Sequence, residues 1–143
     1  MGYSPLLAPV VVLVAWSLVM MLWMAATRLP AMKKAGLGLK RRGGRGANLE
    51  GVIPDEVNWK AHNYQHLMEQ PTIFYASVFA LILMGMDGEI NVWLAWGYVG
   101  LRILHSIVQA TVNIVMYRFS LFLLSSLCLV GLTVHAAARL LHG

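Results

Sequence analysis

An all-α integral membrane four-helix bundle is the fold class this sequence predicts, and three observations predict it. Hydrophobic residues make up 59% of the 143 positions and charged residues only 12%, against about 25% charged in a typical soluble domain. Uncharged runs long enough to cross a bilayer stand at both ends of the chain. The cations are gathered rather than spread, with seven of the eleven Lys and Arg lying between Arg28 and Arg45. The net charge of +5 raises nucleic acid as a partner. Concentration of the charge in one short juxtamembrane stretch instead marks a cytoplasmic membrane face, so no nucleic-acid partner is expected. The length suits one domain, residues 1–143.

Taken in order, Leu6–Thr27 is 22 uncharged residues, about 33 Å as a helix and enough for a hydrocarbon core of about 30 Å. A signal peptide would carry a basic leader and a shorter apolar core, so the run reads as a retained first span over about 6–29. Arg28 closes it, and Pro30 is expected to stop the helix. Residues 30–55 form a basic, glycine-rich loop that lacks the G-x-x-x-x-G-K-[ST] pattern of a phosphate cradle. Pro54, Asp55 and Glu56 look like a first helical turn, with proline and acids at the N-terminus. The helix they open runs over about 56–86, with a kink or a locally loosened backbone expected at Pro71. Asp87-Gly88-Glu89 is a turn on the opposite side, followed by Trp93, Trp96 and Tyr98 as interfacial aromatics or packing residues, the former favoured near the span's end. A third span over about 90–116 carries the polar residues, and Phe119–Ala138 supplies a fourth, over about 119–141. A basic loop inside places both termini on the far side. The single cysteine, Cys128, cannot make an internal disulfide and reads as a packed thiol.

The third span is where function is expected. Arg102, His105, Gln109, Asn113 and Tyr117 follow at three- and four-residue steps, which draws one polar stripe down an apolar helix. An Arg at bilayer depth costs about 2.5–3.5 kcal/mol even on a lenient scale, so such a stripe faces protein or a wet cavity. His62, His66 and Glu69 or Gln70 make a similar face on the second helix. Three readings stand for these groups. Glu69 could pair with Arg102 and set helix packing; His62, His66 and Glu69 could hold a metal; or Glu69, Arg102 and His105 could relay protons. Arg118 sits at the corner between spans three and four, beside Tyr117, on the side where Arg28, Lys60 and the basic loop gather. These cations either contact lipid headgroups or form an electropositive pocket. Such a pocket would suit an anionic molecule acting on a partner dissolved in lipid.

Together these residues resemble the MAPEG family, the membrane-associated proteins in eicosanoid and glutathione metabolism. The match rests on KAHNYQHLMEQPTIFYA in the second helix, on Arg102-x-x-His105 with Arg118 sixteen residues after the Arg, and on the basic glycine-containing loop. It covers essentially the whole chain. The resemblance implies a homotrimer of four-helix subunits, with glutathione bound between neighbours near the cytoplasmic side. By the same resemblance Arg118 stabilises the glutathione thiolate and Arg28 contacts the tripeptide. Glu69 partners the glutathione amino group or Arg102, and Arg102 and His105 line or order the site. Lys60, His62, Asn63, His66, Gln109 and Tyr117 complete the candidate binding set, and no metal is expected. The chain departs from the family pattern at four places. His66 stands three before Glu69 where the motif has asparagine, with Asn63 one turn earlier. Gln109 replaces a glutathione-contacting tyrosine, and Phe119 and Phe122 replace hydroxyl-bearing residues after the corner Arg.

The activity implied is that of a glutathione transferase or peroxidase acting on lipophilic electrophiles, a detoxification chemistry. A non-enzymatic lipid- or glutathione-binding scaffold of the same fold is the first alternative, and a small proton or ion carrier the second. The EQP-x-x-FY wording resembles bacterial members, which implies the inner membrane.

Overall fold

In a computed structural model that describes residues 2–143, the chain is entirely helical. Its elements are α1 (Leu7–Lys34), a short 3-10 turn (Gly46–Leu49), α2 (Asp55–Leu67), α3 (Gln70–Leu83), α4 (Glu89–Ala110) and α5 (Val115–His142). The all-helical expectation therefore holds. α1 and α5, with 28 residues each, are long and apolar enough to cross a membrane. Only 28% and 17% of their most apolar windows are buried inside the protein. In water that would expose far more contiguous apolar surface than a soluble monomer shows, whereas in lipid it is the solvated face. Hydroxyls within these helices bond to their own backbone, as Ser17 Oγ does to the Leu13 carbonyl at 2.9 Å and Thr133 Oγ1 to that of Leu129 at 2.9 Å. They add no unsatisfied group to the apolar surface.

α4 is the hub, because it packs on α1, α2 and, most extensively, α5. Its approach to α5 is close because two positions lack a Cβ. One on Gly97 would stand 3.2 Å from Cys128 Sγ, and one on Gly131 would stand 3.1 Å from Leu94 Cδ1. Small residues at such crossings let transmembrane helices gain dispersion contacts that lipid cannot supply. The buried core is completed by Leu13, Met20, Phe74, Leu81 and Leu132. Two polar ties cross it. Tyr98 Oη donates to Gln70 Oε1 at 3.0 Å, and Gln70 Nε2 donates to Ser126 Oγ at 3.0 Å, which links α4, α3 and α5. Ser106 Oγ accepts from Trp16 Nε1 at 2.8 Å and from Asn63 Nδ2, which links α4, α1 and α2.

Four expectations need correction. α1 does not stop at Pro30 but carries it inside and ends at Lys34. The second helix is not merely kinked; it is broken at Met68–Glu69. In a continuous helix the Pro71 ring would clash with the Leu67 carbonyl and offer no N–H. Pro71 therefore sits in the first turn of α3, and Thr72 donates from both N (3.2 Å) and Oγ1 (2.7 Å) to the Glu69 carbonyl. Tyr98 is not interfacial: it is fully buried and stacked on Phe74 with ring centroids 4.3 Å apart. The third helix ends at Ala110, not near residue 116. Asn113 takes a left-handed conformation, φ 50°, while its N–H bonds the Val108 carbonyl at 2.7 Å. That is a helix end of the kind Asn favours when Gly is absent, and the polar stripe is cut there.

Tyr98→Phe leaves Gln70 Oε1 without its donor, and the expected loss is about 1 kcal/mol. Leu132→Ala removes core volume at a cost of about 2–5 kcal/mol. Thermal unfolding in detergent should rank the two variants in that order, and the reverse order would show that the polar tie outweighs apolar packing in this bundle.

Candidate functional site

The site grows from Arg102. α4 buries its guanidinium completely, yet no acid of the chain lies in salt-bridge range among the described residues. Nη1 donates to His66 Nε2 at 3.3 Å, while Nε and Nη2 are buried with no hydrogen-bond partner. The Phe122 ring lies 5.7 Å from the guanidinium carbon, a cation–π contact that offsets part of the desolvation. The expected Glu69–Arg102 pair is therefore absent. Glu69 falls at the α2–α3 break, its side chain is 68% exposed, and it meets the Nδ1 of His66 at 3.4 Å. His66 stands between the acid and the cation. With its proton on Nδ1 it donates to Glu69 and accepts from Arg102, so one neutral imidazole makes both contacts.

Above this buried cation lies an open groove of about 260 Å³, walled by His66, His105, Gln109, Arg118, Phe119 and Phe122. The His66 and His105 rings are 5.0 Å apart, and both tilt toward Phe122. Gln109 Oε1 is buried without a partner. Arg118 enters from the first turn of α5 and donates from Nη1 to Asn113 Oδ1 at 2.8 Å. The left-handed turn at Asn113 thus closes α4 and also aims the Arg118 guanidinium. No carboxylate lines the groove. A cavity with two guanidiniums at or beneath its wall and no acid is one that favours an anion.

Of the residues the sequence singled out, the structure places His66, His105, Gln109 and Arg118 on the groove wall, with Arg102 buried against one nitrogen of His66 and the exposed Glu69 at the other. It does not bring the others to this groove. Tyr117 is exposed on α5, since the turn rotates it off the α4 stripe. His62 pairs with Glu50, so His62, His66 and Glu69 do not converge as metal ligands. Lys60 Nζ bonds the Glu56 carbonyl at 2.9 Å and sits 5.5 Å over Trp23. Asn63 is spent on Ser106. Arg28 faces the 38–49 loop rather than Arg118. Sequence reasoning missed Ser106 and Gln70 as ties that hold the site's walls. The signal was present, since Tyr98, Arg102, Ser106 and Gln109 share one face of α4 at three- and four-residue steps.

A family model described as the MAPEG family matches residues 6–138. The chain belongs to the MAPEG family. No individual curated protein and no solved structure matches it. Membership makes the bundle a membrane helical bundle and ties the protein to a family concerned with eicosanoid and glutathione metabolism.

If Asn113 acts through its left-handed backbone, Asn113→Ala should cost about 1–2 kcal/mol, and Asn113→Gly markedly less. Equal unfolding midpoints for the two variants would refute that role.

Proposed function

We propose that the protein is a membrane-bound glutathione transferase, with glutathione peroxidase activity toward lipid hydroperoxides as a second outlet of the same thiolate. The observation that carries this reading is the buried, anion-less Arg102 beneath a groove closed by Arg118. A charge so placed is costly unless a partner arrives, and glutathione brings two carboxylates and an ionisable thiol. The orphaned nitrogens of Arg102, the free Gln109 carbonyl and the acid-free wall fit such a molecule. The exposed Glu69 carboxylate offers a partner for its amino group. The groove opens outward, so a neighbouring copy would cover it. This supports a homotrimer with intersubunit sites, in which Lys60 of an adjacent protomer adds a cation to the binding set. In the inner membrane the basic loop would face the cytoplasm, where glutathione is available, with both termini opposite.

Glutathione supplies the nucleophilic sulfur. A thiol of pKa near 8.5 is mostly protonated at neutral pH, and each unit of lowering requires about 1.4 kcal/mol in favour of the thiolate. The Arg118 guanidinium, at the edge of an apolar bundle, provides such stabilisation at low effective dielectric. Arg102, buried behind His66 and Phe122, contributes its positive field to orienting the anionic tripeptide, while Phe119 and Phe122 exclude water and offer an apolar wall to the lipophilic substrate. Phe119 and Phe122 leave no hydroxyl beside the thiol, and this one feature favours the alternative of a glutathione- or lipid-binding scaffold. Nothing comparable favours a proton or ion carrier.

Two measurements test the proposal. With a chromogenic aryl halide as second substrate, Arg118→Ala should lower kcat/KM by at least about tenfold and raise the apparent pKa of bound glutathione by about one unit or more. Turnover that survives the substitution would remove the thiolate role, and a wild-type protein that binds glutathione without turnover would favour the scaffold. Arg102→Met should weaken glutathione binding by about tenfold or more while leaving thermal stability unchanged or raised, since it replaces an unpaired buried charge by an apolar side chain. A large fall in stability would instead make Arg102 a structural residue.

A further inference from the structure

A second cationic cavity lies apart from the groove of Arg118. It is a pocket of about 250 Å³ between the end of α1 and the 38–49 loop, with Arg28, Arg41, Arg45 and Asn48 in its wall and no carboxylate. The loop that forms it is pinned from below. Leu49 and Ile53 are buried, and Asn58 Nδ2 donates to the Leu49 carbonyl at 3.3 Å. Asn48 Oδ1 accepts from the Arg45 N–H at 2.7 Å, which fixes the turn that carries the cations. Two glycines in left-handed conformation, Gly43 (φ 68°) and Gly44 (φ 91°), let the loop fold back. The bare Cα of Gly46 admits the Arg28 guanidinium, whose nearest nitrogen would lie only 3.0 Å from a Cβ there. Arg28 Nε is buried without a partner. The chain thus spends backbone permissiveness and a buried donor to gather three guanidiniums around one cavity.

The neighbouring cavity has the opposite character. About 670 Å³ in volume, it is walled by Leu29, Pro30, Leu37 and Leu39, with Lys33 and Lys40 at its rim. The two cavities share Met32, Gly38 and Leu39, so they are adjoining chambers on either side of that wall. Leu29, near the end of a membrane-crossing helix, and Leu39, in the loop that follows it, are exposed apolar residues.

We propose that this two-chambered site binds an anionic phospholipid, with the headgroup phosphate among Arg28, Arg41 and Arg45 and an acyl chain along Leu29, Leu37 and Leu39. Guanidiniums recognise phosphate through paired N–H donors, and basic pockets at the cytoplasmic edge of transmembrane helices hold anionic headgroups. A free phosphate would use the first chamber only. The adjoining apolar wall is what favours a lipid.

Native mass spectrometry of the full chain in detergent, with phosphatidylglycerol and phosphatidylcholine supplied in equal amounts, tests this. Phosphatidylglycerol should be retained about tenfold more, and Arg41→Ala/Arg45→Ala should reduce that preference by about tenfold. Leu39→Gln, at an exposed position that the fold does not need, should weaken phosphatidylglycerol retention while leaving competition by inorganic phosphate unchanged. Equal retention of the two lipids, or a preference unmoved by the double variant, overturns the proposal. Inorganic phosphate that displaces phosphatidylglycerol at equal concentration would overturn the lipid assignment in favour of a soluble anion. Turnover with glutathione is a separate readout, so failure of either proposal leaves the other standing.

Discussion

The burial of one guanidinium governs the candidate site. Arg102 lies at the centre of α4, the helix on which α1, α2 and α5 pack, and among the described residues no acid neutralises it. A charge in that position forces its surroundings to be polar. His66 is drawn against it from α2 and Phe122 faces it from α5. The Ser106–Trp16–Asn63 and Tyr98–Gln70–Ser126 ties hold the walls on either side. In a bundle that otherwise gains only dispersion contacts from helix packing, such ties set the register of the helices.

Backbone interruptions do the remaining positioning. Pro71 cannot sit in a continuous helix without losing a hydrogen bond and clashing with the preceding turn. The resulting break turns Glu69 outward and leaves His66 as the contact to Arg102. Asn113 ends α4 in a left-handed turn and then uses its side chain on Arg118. Both interruptions flank the groove, so the places where the helices fail to continue are the places where polar groups become available. Regular transmembrane helix hides its backbone and offers little chemistry; a broken one exposes both.

The basic loop follows the same logic outside the span. Its cations would repel one another if left in solution without a counterion. Glycines allow them to converge on a cavity, and Leu49 and Ile53 anchor that cavity to the bundle. Two anion-favouring sites of different character therefore stand apart in a small protein, one lined by imidazole and aromatic rings and the other by guanidiniums and aliphatic groups.

The sequence by itself determined the helical membrane class, because lipid compatibility depends on composition and run length, and these are local properties. It also marked Arg102, His105, Gln109 and Arg118, since ionisable groups in an apolar helix are conspicuous wherever they fall. Only the tertiary structure decided which of them meet. Helical periodicity extended the stripe through Asn113 to Tyr117, but one residue at positive φ breaks the period, and no spacing rule registers it. Charge complementarity joined Glu69 to Arg102, but the Pro71 break rotates the carboxylate away and interposes His66. The clustering of Arg28 and Lys60 with Arg118 followed from membrane depth alone; depth does not fix the direction a side chain takes around the bundle. Those outcomes depend on how helices cross and where they stop, which is set by contacts between residues far apart in the chain.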